Sequence, residues 1–365
     1  MSEAAGCGPP AIPRRRRGAA KGRRCVGSGR DVVSSRLTWS RSGFRPSLRD
    51  ALLYHGADMA VNGSALKMRR TLATAVRING VGLHSGTPVR ARLVPAEAGS
   101  GIVFVRTDLA GARIEAVLAN AGPSFYATVL QKDGATVSTI EHLMAALYAL
   151  QVDDLTIELD APEVPILDGS SRPFVEAVLD AGYREHDVPR NYIHIVRPVS
   201  VTHEDKSIAV RPSPEYRVTY AIDFDHPALG YQELTASLWE AEHFAEKLAP
   251  ARTFTFEHEI EALKQRGLAR GGSLDNAVVV GRDGILNDGL RFPDEFVRHK
   301  MLDLTGDLSL LGHPLLGHVV AYRAGHDLHA RLARRIAEAK DSWFLAPWGV
   351  AAEAKEPSPP AGTPS

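Results

Sequence analysis

The segment Ser138-Thr139-Ile140-Glu141-His142-Leu143-Met144-Ala145-Ala146-Leu147-Tyr148-Ala149-Leu150 gives way, after Gln151-Val152-Asp153, to Asp154-Leu155-Thr156-Ile157-Glu158-Leu159. In the first piece Ile140, Leu143, Met144 and Leu147 fall at i, i+3, i+4 and i+7, the stripe of a helix with one face to a core. The second piece is short and apolar and reads as a strand. Outward from this pair, Thr71–Asn79, Val89–Val94, Ile102–Arg106, Tyr192–Val196, Ser207–Val210, Arg217–Phe224, Ala277–Val280 and Val319–Arg323 also read as strands. Thr139–Leu150, Ser171–Ala181, His258–Gln265, Asp294–Leu310 and Leu328–Lys340 read as helices. Strands and helices mix without regular βα alternation, so the expected class is α+β, with helices stacked on antiparallel sheets.

The 365 residues suffice for two domains, and 44% hydrophobic with 24% charged residues exclude a wholly disordered or fibrous chain. No run of eighteen apolar residues occurs, which excludes a helical membrane span. The formal net charge of zero conceals an asymmetry. Residues 1–60 hold eleven Arg and Lys21 against Glu3, Asp31, Asp50 and Asp58, a balance of +8, which leaves −8 for the remainder. Both cysteines, Cys7 and Cys25, lie in this basic segment; two cannot build a disulfide scaffold or a Cys-rich zinc site. The cysteine-free remainder suits a reduced, cytoplasmic protein. We expect residues 1–67 to be a disordered or mis-assigned extension, with translation starting at Met59 or Met68, and the Pro-rich tail 347–365 to be unfolded. A nucleic-acid role would rest on the basic arm alone, and the acidic body speaks against it.

Two helices carry candidate chemistry. In the first, His142 lies off the apolar stripe, with Ala145 and Ala146 leaving room beside it for a ligand or substrate. Glu141 has an ordinary alternative use, because Ser138-x-x-Glu141 fits a capping box. In the second, Asp294–Leu310, Val297, Met301, Leu304 and Leu308 gather on one face while His299, Asp303 and Asp307 share the other at ~100° per residue. That face reads either as a solvated polar surface or as a cation site, since His299 and Asp303 one turn apart converge on a divalent metal, with Lys300 at its margin. Asp303 and Asp307 alone repel by a few tenths of a kcal/mol. His142, His299 and Asp303 together match the three-ligand pattern of catalytic zinc, with Glu141 beside a ligand as a general base. Fourteen histidines make chance pairings easy, so spacing alone leaves this one reading among others.

At these residues the chain resembles the UDP-3-O-acyl-N-acetylglucosamine deacetylase family, LpxC, the zinc amidases of lipid A biosynthesis, over about residues 68–345. The resemblance rests on Gly80-Val81-Gly82-Leu83-His84-Ser85-Gly86, Ser138-Thr139-Ile140-Glu141-His142-Leu143 and Ala161-Pro162-Glu163-Val164-Pro165-Ile166-Leu167-Asp168-Gly169-Ser170. It continues through Ala251-Arg252-Thr253-Phe254, Arg270-Gly271-Gly272-Ser273, Leu290-Arg291-Phe292-Pro293-Asp294-Glu295-Phe296-Val297-Arg298-His299-Lys300-Met301-Leu302-Asp303 and Gly325-His326.

The resemblance implies that His142, His299 and Asp303 bind one catalytic Zn²⁺, that Glu141 is general base and that His326 is the general acid protonating the leaving amine. It implies that Asp307 orients His326, and that Lys300 and Thr253 stabilise the oxyanion. Without it, His326 reads as a loop histidine, Lys300 as a solvated lysine and Thr253 as a strand-end residue. Phe254 would pack against sugar or acyl chain, and the insert 257–286 would form an acyl passage lined by Ile260, Leu263, Gly272, Ser273, Ala277 and Val279. The implied architecture is two domains of related fold, 68–189 and 190–346, each a small mainly antiparallel sheet on two helices with the active site between the layers. The expected partner is a small acylated UDP-sugar, with no nucleic acid and no membrane span, and the expected enzyme is a cytoplasmic monomer. The competing reading is a silent binding protein using the same cleft, which would have no need of a general acid and base.

Overall fold

The computed structural model describes residues 66–349 apart from Phe125 and Trp239. The expectations for residues 1–65 and for the tail beyond Gly349 fall outside the described residues, as do Cys7 and Cys25.

The class is α+β. A five-stranded sheet orders β2 (Val76–Val81), β3 (Pro88–Pro95), β8 (Leu155–Leu159), β4 (Ile102–Arg106) and β5 (Ala112–Glu115), antiparallel except for the β4–β8 pair. Its buried face follows the strand period of two: Val89, Ala91 and Leu93 on β3, and Leu155, Ile157 and Leu159 on β8. A seven-stranded sheet orders β11 (Val199–His203), β12 (Lys206–Arg211), β17 (Leu315–Tyr322), β10 (Asn191–Ile195) and β18 (Trp343–Pro347), while β13 (Tyr216–Phe224) joins β17 in parallel and carries β14 (Gly230–Ser237). Smaller pairs are β1 (Met68–Leu72) with β9 (Tyr183–Pro189), the hairpin β6 (Val129–Lys132) with β7 (Ala135–Ser138), and the parallel pair β15 (Phe254–Phe256) with β16 (Val278–Val280).

The helices are α1 (Glu141–Ala149), α2 (Arg172–Ala181), α3 (Ala241–Lys247), α4 (Glu257–Gln265), α5 (Glu295–Leu308) and α6 (His326–Glu338). Every residue of α1 except Tyr148 is buried, because α5 packs on one side and α2 on another. Its sequence stripe therefore understated its burial. The polar face of α5 is likewise buried, not solvated: His299, Asp303 and Asp307 are each at most 5% exposed. Gly306 permits the close crossing of α1 and α5, since a Cβ there would run into the Glu141 carbonyl.

Three sequence expectations need correction. Thr71–Asn79 is two strands: the Ala73 and Thr74 N–H groups donate to the carbonyls of Gly182 and Ala181, which turns the chain from one sheet to another. The first helix starts at Glu141, because Thr139 has φ 57°, outside helical conformation. The Ser138–Glu141 capping box is not made; Ser138 ends β7 and its hydroxyl donates to the Pro162 carbonyl. Among the described residues no helix is long and apolar enough to cross a membrane.

Candidate active site

The crossing of α1 and α5 brings His142, His299 and Asp303 together, with their ligating atoms all within 4.8 Å of one another. His142 Nε2 lies 3.6 Å and His299 Nε2 3.2 Å from Asp303 Oδ1. His299 Nδ1 faces the Ala251 carbonyl at 3.0 Å, and a carbonyl can only accept, so Nδ1 carries the proton and Nε2 presents its lone pair. Burial, with help from His142 and Lys300, outweighs Asp303 and pushes the His299 imidazole down to about 4, which keeps it neutral. Burial by itself would raise Asp303, but His299, Lys300 and His142 hold it well below the usual carboxylate range.

Among the described residues, Asp303 Oδ1 is buried without a hydrogen-bond partner. A buried carboxylate oxygen in that condition is costly unless something else satisfies it. Two imidazole Nε2 atoms flank the oxygen, and zinc bonds to nitrogen and oxygen at about 2.0–2.2 Å, so the donor set fits that ion.

Around this trio stand the other expected groups. Lys300 Nζ donates to Asp303 Oδ2 at 2.8 Å; desolvation would lower its pKa, but Asp303 chiefly raises it, so it is a half-buried ammonium. Glu141 is buried, which raises its carboxyl pKa against the opposing pull of His326 and His142. Its Oε2 accepts the Thr128 N–H at 3.0 Å. His326, at the first turn of α6, meets Asp307 Oδ2 through Nδ1 at 2.7 Å, with Nε2 3.9 Å from Asp303 Oδ2. Burial pulls His326 down, but Asp307 and Asp303 outweigh it and raise the imidazole to about 9. Spacing placed His299, Lys300, Asp303 and Asp307 together on one helix and His142 on another, but not the meeting of the two helices, and His326 arrives from a separate element.

Several residues were not legible in advance. The Thr128 hydroxyl donates to Asp307 Oδ1, so one residue serves both Glu141 and Asp307. His329 Nδ1 meets the same Asp307 Oδ2 at 2.7 Å, and its Nε2 faces the Tyr220 hydroxyl at 3.0 Å. The spacing of His329 from His326, one turn along α6, was the available signal; Thr128 and Tyr220 carried none.

Thr253, Phe254, Ile260, Leu263, Gly272, Ser273, Ala277 and Val279 all line one cavity of about 320 Å³, together with Leu83, His84 and Tyr126. The segment 251–254 ties this cavity to the cluster: Ala251 receives His299, and the Phe254 ring lies 6.4 Å from the His299 ring, centroid to centroid. A second cavity, about 490 Å³, is lined by His326 itself with Ser124, His203, Lys206, Asp327 and Arg331. Its cationic residues escaped the sequence reading.

The LpxC family model, described as UDP-3-O-acyl N-acetylglycosamine deacetylase, matches residues 69–338. The chain belongs to the LpxC family. Relatives named UDP-3-O-acyl-N-acetylglucosamine deacetylase include one from Syntrophotalea carbinolica, 49% identical over 286 residues, covering 77% of this chain and 92% of the relative. Another, from Myxococcus xanthus, is 47% identical over 281 residues, covering 76% and 89%. A third, from Citrifermentans bemidjiense, is 46% identical over 279 residues, covering 76% and 91%. LpxC membership makes the chain a hydrolase of the deacetylase type, and the matched span takes in every residue of the cluster and both cavities.

Proposed function

We propose that this chain hydrolyses the 2-acetamido group of UDP-3-O-[(3R)-3-hydroxyacyl]-N-acetylglucosamine, giving acetate and UDP-3-O-acyl-glucosamine, the committed step of lipid A biosynthesis, with one Zn²⁺ held by His142, His299 and Asp303. The observation that carries the metal reading is Asp303 Oδ1, buried between two imidazole nitrogens with no hydrogen-bond partner among the described residues. Zinc in that position supplies Lewis acidity, acidifying a water and polarising an amide carbonyl.

The protein groups do the rest. Glu141, on the same helix turn as His142, takes a proton from the water that attacks the acetamide carbon; its raised pKa suits a base working near neutrality. The Lys300 ammonium and the Thr253 hydroxyl stabilise the developing oxyanion. An amine leaves poorly as an anion, so His326, kept protonated beside Asp307, delivers a proton to the sugar nitrogen as the C–N bond breaks. Asp307 also fixes the orientation of the His326 ring through the 2.7 Å bond to Nδ1, leaving Nε2 to face the substrate.

The apolar cavity beside Phe254 takes the fatty chain, and the cavity bearing Lys206 and Arg331, the latter ion-paired with Asp327 at 2.9 Å, keeps a net positive charge for the diphosphate. The proposal extends to a cytoplasmic monomer with domains 68–189 and 190–346. The test is acetate release from the acylated UDP-sugar by the full chain, before and after chelation and zinc replacement. Activity that is lost on chelation and regained with zinc supports the reading; folded, zinc-loaded protein that releases no acetate sinks it.

A further inference from the structure

We propose that Glu163 is a positioning residue that couples the wall of the acyl cavity to the start of the helix bearing Glu141 and His142, so that a long acyl chain raises turnover as well as affinity. This rests on the function proposed above. Glu163 is 1% exposed and, among the described residues, has no ion-pair partner. Its carboxylate is held by three neutral donors instead. Oε1 accepts the His84 N–H and the Thr139 hydroxyl, each at 2.8 Å, and Oε2 accepts the Ser85 N–H at 2.8 Å. Placing a carboxylate in such a site is expensive, and every one of its bonds goes either to the turn 82–86 or to Thr139.

Both ends of this strap are constrained. Thr139 sits at φ 57°, a conformation that a β-branched residue adopts only when its surroundings impose it. It lies two residues before Glu141 and three before His142, so its backbone sets the phase at which both side chains leave the helix start. The bond from its hydroxyl to Glu163 is the side-chain contact that holds it there. At the other end, the turn bearing Leu83 and His84 forms part of the acyl cavity wall. Its carbonyls accept N–H groups from the segment between the cavity-lining Ala269 and Gly272: His84 from Arg270 at 3.2 Å and Leu83 from Gly271 at 3.0 Å.

No slack remains along the chain of contacts. A Cβ on Gly271 would strike the Gly82 carbonyl, and one on Gly82 would strike the Glu163 carboxylate. Contact of the fatty chain with Leu83 and His84 is therefore transmitted through Glu163 to Thr139, and binding energy far from the reacting amide serves to fix the catalytic helix.

The test compares kcat for two substrates, UDP-N-acetylglucosamine bearing a 3-hydroxymyristoyl or a 3-hydroxybutyryl group at O3, in the wild type, Glu163→Gln, Thr139→Ala and Thr139→Ser. Gln keeps the shape of Glu163 but turns an NH₂ group towards at least one of the three donors. Expected is a wild-type long-to-short kcat ratio well above one that falls on the order of 10-fold in Glu163→Gln and Thr139→Ala and is rescued by Thr139→Ser, which keeps the hydroxyl. A parallel measurement does not depend on turnover: hydrogen exchange at the 140–145 amides with and without 3-hydroxymyristic acid. Protection by the acid in wild type and Thr139→Ser but not in Glu163→Gln or Thr139→Ala supports the coupling. The proposal is overturned if the variants keep the wild-type ratio whatever their absolute rates, or if the acid protects 140–145 equally in all four proteins. Should Glu163→Gln not fold, the two Thr139 variants decide. Wild-type protein that releases no acetate would count against the proposed function, while the exchange measurement would still judge the coupling.

Discussion

Asp307 shows how much one buried side chain can organise. Its two oxygens hold Thr128, His326 and His329, residues from a loop and from a helix that nothing in the local sequence relates to it. Replacing it with Asn removes the charge that keeps His326 protonated and turns an NH₂ group towards at least one of its present partners. Asp307→Asn is expected to lower kcat ~10²–10⁴-fold, the span of a lost general acid, with KM little changed; an equal fall in both kcat and zinc content would instead assign Asp307 to the metal. For the trio itself, His299→Ala opens the site at the proposed ligand whose tautomer is fixed by Ala251. Zinc affinity measured by chelator competition should fall at least ~100-fold, and activity should not return in ordinary zinc. Retention of one tight zinc by this variant would refute the ligand set.

At the scale of elements, α5 is secured at its start by Glu295, which is fully buried and accepts the Arg252 N–H and guanidinium as well as the Arg291 N–H. This brace also fixes the segment 251–254 that meets His299. Burial alone would raise Glu295, but the bonds from Arg252 and Arg291 outweigh it and lower its pKa beneath 4.5. The unfolded chain therefore binds a proton more readily, so this contribution to stability is present above pH 4.5 and disappears as pH falls through the depressed native value. In urea titrations across a pH series, Glu295→Gln should be the less stable protein at pH 7, and its deficit should shrink steadily below pH 4.5. A deficit independent of pH would show that shape, not charge, is what Glu295 contributes. Elements differ in legibility for related reasons. The long strands β3 and β13 and the helices α1, α2 and α5 announced themselves by periodicity. Short pieces such as β6, β7, β15 and α3 did not, because three to seven residues hold too little pattern and owe their form to neighbours. The split of Thr71–Asn79 and the unmade capping box have the same origin: bonds to Ala181, Gly182 and Pro162, remote in sequence, overrode local preference.

For the molecule as a whole, the decisive contact is the crossing of α1 and α5, because one helix brings Glu141 and His142 and the other brings His299, Lys300, Asp303 and Asp307. Sequence could name the residues on each helix but not show that the helices meet; what permits the meeting is Gly306, where any side chain would collide with the Glu141 backbone. The helix conformation does not otherwise need glycine at that point, and in an open helix Ala would be favoured there by about 1 kcal/mol. Gly306→Ala should therefore act against its own helix propensity, lowering stability by ~1–3 kcal/mol as the helices are forced apart. Moving His142 away from Asp303 should also weaken zinc binding on the order of 10–100-fold, the range seen when the support of a metal ligand is disturbed. Gly312 supplies the control. It lies just beyond α5 at φ 80° with open space around its Cβ position, so Gly312→Ala should cost about 1 kcal/mol through backbone strain alone and leave zinc affinity unchanged. Thermal unfolding and chelator competition on both variants separate the two effects. If Gly306→Ala loses stability but binds zinc as the wild type does, the metal site does not depend on how closely the two helices pack, and the assembly of the site by that crossing must be given up.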